Sequence, residues 1–424
     1  MYNKFFELDE KIIKAAESAE EKTREVYAEI DKIGEYNTYK VLKAFSDKRV
    51  SESYFVGTTG YGYGDRGRDM LDEVFAQIVG AEDAIIRHSF ASGTHAISTM
   101  LFGILRPNDK MVCLTGTPYD TLHGVIGLTD VVGKGSLKDF GIKYGELPLL
   151  ADSTVDFDGI PKAIKGAKMA YIQRSRGYEL RPSLTVEIIA EMIKRIREVD
   201  KEIVIAVDNC YGEFVERIEP TEVGADLIVG SLIKNPGGGI AKTGGYIAGR
   251  KDLVELCACR LTTASTGKEI GCSLGETRNM YMGLFAAPTV VSAALKTAVL
   301  TASMFKDFGF EVTPEPTEQR ADIIQAVKLV NEERLVAFCQ GIQKGAPIDS
   351  FVTPEPWDMP GYDSKVIMAA GAFTGGASIE LSADAPLREP YAAWLQGGLN
   401  YPSGKIGVML AAQSMLEKNL LNLK

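Results

Sequence analysis

Hydrophobic residues follow two alternating rhythms along this chain. Short unbroken apolar runs stand at 84–86, 111–115, 169–173, 203–207, 226–230 and 244–248. Between them, apolar residues recur every three or four positions, most clearly from Thr185 to Val199. A strand buried on both faces reads as a continuous apolar run, and an amphipathic helix reads as a 3.6-residue period. Their alternation predicts an α/β fold with a mainly parallel central sheet and helices on both faces.

The flanks read differently. Residues 7–46 are rich in Glu, Lys and Ala, with apolar positions at Ile12, Ile13, Ala16, Ala19, Val26, Ile30 and Ile33. One or two amphipathic helices, broken near Gly34, are expected there, making 1–56 an N-terminal helical segment. A Gly/Tyr-rich loop, 57–68, opens a large α/β domain over 57–287. A helix at 288–307 leads into a C-terminal α+β domain, 288–424. Its strands are expected at 310–313, 323–330, 365–370 and 378–382, and its helices at 331–344 and 405–418. The prolines of Thr353-Pro-Glu-Pro-Trp-Asp-Met-Pro360 mark a long loop.

Composition narrows the partners. Lys and Arg total 47 against 57 Asp and Glu, with no basic block, which argues against nucleic acid and anionic membrane. Six cysteines offer only one C-x-C pair, Cys257 and Cys259, with no second pair or nearby His, so no metal site is expected. Unpaired thiols suit a reducing compartment. The N-terminus is charged too early for a secretory signal, and the apolar stretch Val290 to Phe305 is broken by Lys296. A cytoplasmic protein is expected.

Candidate chemistry collects where the apolar runs end. The run Ile203-Val-Ile-Ala-Val207 leads into Asp208-Asn-Cys-Tyr-Gly-Glu213, and Ala225-Asp-Leu-Ile-Val-Gly230 leads into Ser231 and Lys234. Open α/β sheets bind ligands at the carboxyl ends of their strands. A carboxylate to hold a protonated pyridine nitrogen and an amine to form a Schiff base are what pyridoxal 5'-phosphate requires of a protein. Taken singly, Asp-Asn after a strand is an ordinary turn and a Lys before Pro-Gly-Gly-Gly is an ordinary solvated side chain. A third element joins them. Phe90-Ala-Ser-Gly-Thr-His-Ala-Ile97 follows the run 84–86 and opens a helical pattern reaching Ile104. Ser92, Gly93 and Thr94 then occupy a first helical turn, where free N–H groups and the positive dipole end attract phosphate.

Two rival motifs lack their context. Gly62-Tyr-Gly-Asp-Arg-Gly67 spells the dinucleotide fingerprint, but Thr58-Thr-Gly60 precedes it where a strand is required. Pro236-Gly-Gly-Gly-Ile-Ala-Lys242-Thr243 has Pro236 and Ala241 where a phosphate loop needs glycine.

In order and spacing, the segments at 90–97, 208–211 and 231–234 resemble the Cys/Met-metabolism group of fold-type-I pyridoxal-phosphate enzymes, which includes cystathionine β-lyase and methionine γ-lyase. The nearer likeness is to the aluminium-resistance, or methionine γ-lyase-like, branch. Gly60-Tyr-Gly-Tyr-Gly-Asp65, Asp208-Asn-Cys-Tyr-Gly-Glu-Phe214 and Leu395-Gln-Gly-Gly-Leu399 carry it. The resemblance covers nearly the whole chain. It implies that Lys234 holds the cofactor, that Asp208 pairs with the ring nitrogen, and that Ser92, Gly93, Thr94 and Ser231 cradle the phosphate. Tyr119, in Thr115-Gly-Thr-Pro-Tyr119, matches the tyrosine that stacks on the ring and acts as an acid. A homodimer or homotetramer with shared active sites is implied too.

The chain departs from the lyases twice. Their Tyr-x-Arg phosphate motif is absent; the equivalent loop carries Tyr61, Tyr63, Arg66 and Arg68. Their substrate-carboxylate arginine is replaced by Glu380 in Ile379-Glu-Leu-Ser382. Arg388, Arg174 and Arg176 are the substitutes, since a guanidinium fork suits a carboxylate. The implied reaction is elimination from a sulfur-containing amino acid, giving an oxo acid, ammonia and a thiol. Burial is expected to depress the Lys234 amine so that it can act as a base. Transamination, aldol cleavage, or cofactor binding without catalysis in a stress-response protein are the alternatives.

Overall fold

A computed structural model describes residues 2–129, 132–358 and 364–422. The end of the proline loop, Met359-Pro360, lies outside the described residues. The chain divides into two compact units: 37–286, and a second assembled from 1–36 and 287–424.

The first unit is built on a seven-stranded sheet. Its strands are β1 (Asp83–Arg87), β2 (Lys110–Cys113), β3 (Lys143–Glu146), β4 (Met169–Gln173), β5 (Val204–Asp208), β6 (Leu227–Ser231) and β7 (Gly245–Gly249), in the order β1-β7-β6-β5-β4-β2-β3. Only β7 runs against its neighbours; the remaining pairings are parallel. This is the expected mainly parallel sheet. Alternate residues along the strands separate its two faces. Met111, Cys113, Met169, Tyr171, Ala206, Val229 and Ile247 share a core with the helices Gly93–Ile104 and Lys251–Leu261. From the other face of β7, Tyr246 packs on Phe75 of the helix Arg66–Ile78, with ring centroids 4.7 Å apart.

Helix starts follow local chemistry. Ser92, Thr185 and Asp65 each accept a hydrogen bond from the backbone N–H three residues on, satisfying a donor that an N-terminus otherwise leaves open. The strand of this sheet missing from the sequence reading is β3. It pairs only with β2 and holds Lys143 and Glu146 at its ends, so it has no apolar run to betray it.

The second unit carries a five-stranded antiparallel sheet. Its strands are β8 (Glu311–Thr313), β9 (Gln325–Lys328), β10 (Val366–Ala369), β11 (Ser382–Pro386) and β12 (Ala392–Gln396), in the order β10-β11-β12-β9-β8. The strand expected at 378–382 begins only at Ser382. Glu380 turns inward instead, its carboxylate accepting from the N–H groups of Phe373 and Thr374 at 2.9 and 2.8 Å. Helices Glu332–Lys344 and Tyr401–Glu417 cover this sheet, and Ile12, Ala16 and Ala19 of the helix Glu10–Lys22 join the same core. The apolar stripe of the lead helix is therefore covered within the chain.

The helix Thr277–Asp307 runs through Pro288 and starts eleven residues before the expected position. It is the one helix among the described residues long and apolar enough to cross a membrane, and most of its apolar window is buried inside the protein.

Candidate active site

The site is built at one edge of the first unit's sheet. Parallel register places Gln173 opposite Asp208 and Asp208 opposite Val229, so β4, β5 and β6 end together. Asp208 is buried, with 7% of its surface exposed. Its Oδ1 accepts from the Cys210 N–H at 3.1 Å, and its Oδ2 from the Tyr171 hydroxyl at 3.3 Å. Burial, reinforced by the Asp208 charge, holds the Tyr171 phenol and the Cys210 thiol well above their ordinary ranges. Both stay protonated, and Tyr171 remains a donor to the carboxylate.

Lys234 emerges beyond β6 with its Nζ 4.0 Å from the centre of the Tyr211 ring, a cation–π contact. Tyr211 stands there because the loop after β5 turns through a left-handed residue, with φ of 70° at Tyr211 itself. Burial alone would lower the affinity of Lys234 for its proton. Cys210, Tyr211, Asp208 and Tyr119 outweigh it and hold the ammonium above its ordinary range. The protein groups alone thus favour a cation at Nζ, and the expected depression would need the positive charge of the cofactor ring as well as burial.

The helix Gly93–Ile104 brings its N-terminus to the same place. A Cβ on Gly93 would lie 3.1 Å from Ser231 Cβ and 3.6 Å from Cys210 Sγ. Glycine is what permits this approach. Ser92 caps the helix through His95, and Thr94 Oγ1 meets Thr121 Oγ1 at 2.9 Å. The first amides of the helix have no intrahelical acceptor. Tyr119 directly precedes the next helix, Asp120–Ile126, and donates its N–H to Gln173 Oε1 at 2.7 Å. Its ring lies 5.6 Å from that of Tyr178 and packs over Gly177. A buried carboxylate, an amine, a phenol and a helix N-terminus thus converge. This donor set fits pyridoxal phosphate: Asp208 for a cationic ring nitrogen, the amides of Gly93 and Thr94 with Ser92 and Ser231 for an anion.

Other expected residues lie elsewhere. Arg174 has no exposed surface; its guanidinium meets Asn209 Oδ1 at 2.7 Å, Glu216 at 2.8 Å and Glu219 at 3.4 Å. It is spent on an internal ion network beneath the loop after β5, which corrects its assignment to substrate. Arg176 is buried two residues further on. Arg68, expected among the phosphate donors, is also buried, donating to the carbonyls of Gly62 and Gly271 and to Asp69. Tyr61 and Tyr63 pair with each other at 5.7 Å and stand 73% and 65% exposed. In the second unit, Arg388 lies exposed in the turn between β11 and β12.

Tyr171, Cys210, Tyr211 and Glu213 were missed as site residues. Cys210 and Tyr211 stand inside the Asp208 motif and could have been read from it. Tyr171 hides in an apolar run.

Comparison with known proteins places the chain in a family. A family profile described as methionine gamma-lyase matches residues 12–416. A Bacillus subtilis (strain 168) protein of uncharacterised function, YnbB, is 47% identical over 397 residues, spanning 93% of this chain and 94% of that protein. The crystal structure of a carbon-sulfur lyase involved in aluminum resistance from Clostridium novyi NT is 48% identical, covers 96% of both chains and superposes with a TM-score of 0.93. Apo CalE6, a methionine gamma lyase from Micromonospora echinospora, shares the fold at 19% identity and a TM-score of 0.55, covering 83% of this chain and 88% of that one. The chain belongs to the methionine gamma-lyase family of pyridoxal 5'-phosphate-dependent carbon–sulfur lyases.

Proposed function

We propose that this enzyme eliminates a thiol from Cβ or Cγ of a sulfur-containing amino acid, leaving an oxo acid and ammonia. The observation that carries this reading is the meeting of Lys234, Asp208 and the Gly93 helix terminus at one sheet edge. Pyridoxal phosphate, when bound, supplies an electron sink for the charge left at the substrate Cα. Lys234 would hold the cofactor, and its Nζ would move the proton at the substrate Cα. Asp208 keeps the ring nitrogen protonated, and Tyr171 holds Asp208 in place through Oδ2. Ser92, Gly93, Thr94 and Ser231 bind the phosphate. Tyr119 would pack against the cofactor ring and supply a proton to the departing sulfur. The substrate carboxylate falls to Arg176 or Arg388.

The exposed pair Tyr61 and Tyr63 supports a homodimer or homotetramer in which this loop serves the neighbouring subunit's phosphate. Six free cysteines fit a cytoplasmic enzyme.

Borohydride reduction followed by peptide mapping tests the assignment of Lys234. Lys242 and Lys268 are two rivals downstream, yet Lys242 pairs with Glu276 at 3.0 Å and Lys268 with Asp83 at 2.6 Å. A reduced adduct on either would overturn it. Turnover of L-cystathionine, L-methionine and L-cysteine is expected to release oxo acid, ammonia and thiol together; amino-group transfer without thiol would reject elimination.

A further inference from the structure

Glu213 is the buried acid that the chemistry above leaves unused. It is 1% exposed and lies two residues beyond Tyr211. Its Oε1 accepts from the Tyr246 hydroxyl of β7 at 2.7 Å, and its backbone carbonyl accepts from Asn235 Nδ2 at 2.9 Å. Asn235 directly follows Lys234. Space for this carboxyl comes from Gly230 in β6, where an added Cβ would stand 2.6 Å from Glu213 Oε1 and equally close to the Tyr246 ring. One side chain and its backbone therefore tie together the loop after β5, the loop after β6, and β7.

The second carboxyl oxygen is the anomaly. Glu213 Oε2 is buried without a hydrogen-bond partner, and so is Asn235 Oδ1. The patch has a surplus of acceptors. A proton on Glu213 converts one of them into a donor and removes a charge that burial would penalise.

We propose that Glu213 is a positioning residue for Lys234: it clamps the Tyr211 loop to the Lys234 loop, and the clamp holds only while its carboxyl keeps a proton. Ionisation would leave a negative charge on a carboxyl whose Oε2 has no donor and demand solvation that the core does not provide. Burial pushes this carboxyl up to about 8, with the Tyr246 hydrogen bond opposing the rise. The charged and titratable groups facing it are Tyr246 from β7, Glu219 from the loop beyond, Cys210 after β5 and Lys234 after β6. The clamp is therefore closed at neutral pH and opens on the alkaline side. The inference rests on Lys234 carrying the cofactor.

Cofactor-loaded protein tests it by pH titration of both kcat and the visible absorbance of the bound cofactor. Wild type is expected to lose kcat with a midpoint near about 8. Glu213→Gln, which keeps an acceptor for Tyr246 and cannot ionise, removes that midpoint from both profiles. Tyr246→Phe deletes the opposing hydrogen bond and moves the midpoint upward, so the inference stays testable even if Glu213→Gln fails to fold. Glu213→Ala lowers kcat by about tenfold with KM changed less than about threefold, the signature of lost positioning rather than lost binding. A Glu213→Gln profile superimposable on wild type, or an unmoved midpoint in Tyr246→Phe, overturns the inference. Borohydride mapping of the same wild-type sample separates the two failures. An adduct away from Lys234 defeats the proposed function; an adduct on Lys234 with unmoved midpoints defeats only the clamp.

Discussion

Replacing Arg174 with methionine removes the centre of an ion network that holds the Asp208 loop from below. The side chain is fully buried and meets Glu216 at 2.8 Å, Glu219 at 3.4 Å and Asn209 at 2.7 Å. Glu219 also accepts from Asn209 Nδ2 and from the Phe214 N–H, both at 2.9 Å, and Glu216 accepts from the Val186 N–H at 2.9 Å. Methionine fills much of the volume and leaves two carboxylates without their cation. Deleting one partner of a buried ion pair costs about 3–5 kcal/mol, which is roughly two to three and a half decades in the unfolding equilibrium. Burial already holds the Glu216 carboxyl above its ordinary range, against the pull of Arg174. Without that pull it rises further. A carboxyl raised in the folded state binds more protons folded than unfolded, so its contribution to stability is present at low pH and lost as pH rises through the folded value. The deficit of Arg174→Met is therefore smaller at pH 5 than at pH 8.

Urea unfolding at the two pH values measures this, and the chain provides its own way to tell the units apart. Both tryptophans, Trp357 and Trp394, lie in the second unit. Fluorescence follows that unit, while circular dichroism follows both. At pH 8 the dichroism transition is expected to shift to lower urea by more than the fluorescence transition. Adding Glu219→Gln to Arg174→Met should restore part of the loss, since adjacent members of one network are not additive. A loss under about 1 kcal/mol at pH 8, or equal losses at both pH values, would refute the ion-network account.

Three further outcomes follow from the same geometry. Asp208→Ala should still form the covalent link to Lys234 yet lose turnover by about 10³-fold or more, as an unprotonated ring is a weak electron sink; near-normal kcat would remove Asp208 from the ring nitrogen. Gly93→Val places a branched side chain where a Cβ already lies 3.1 Å from Ser231; cofactor affinity by equilibrium dialysis should fall by at least about tenfold, or about 1.4 kcal/mol, and unchanged affinity would place the phosphate elsewhere. Mixing inactive Lys234→Ala subunits with inactive Tyr61→Ala/Tyr63→Ala subunits should recover activity if the loop serves a neighbour, and no recovery under demonstrated subunit exchange counts against sharing.

The sequence revealed some of these groups and concealed others for physical reasons. Strands β1, β2 and β4 to β7 are buried on both faces, so each shows as an apolar run close to its true bounds. In β11, Ser-Ala-Asp-Ala-Pro alternates small and polar residues and shows no such run. Asp208, Ser231 and Lys234 were legible because they interrupt an apolar run at its carboxyl end, where an uncompensated polar group needs a purpose. Tyr171 does not interrupt its run. Its role exists only because parallel pairing sets β4 beside β5 and lets its hydroxyl reach Asp208.

Arg174 shows the same effect from the opposite side. It follows an apolar run just as Lys234 does, so by position alone it reads as a ligand for substrate. What decides otherwise is a pair of carboxylates 42 and 45 residues further along, Glu216 and Glu219, which the fold returns to its guanidinium. Glu213 and Tyr246 are likewise 33 residues apart and meet only because Gly230 leaves them room. A group presented to a ligand is placed by its own strand end, a local property of the chain. A group that holds such a residue still is defined by a partner from another strand, and burial makes that partnership obligatory. Mutations at Arg174 and Glu213 should therefore act through the residues they brace, changing stability and pH profile before they change which substrate is bound.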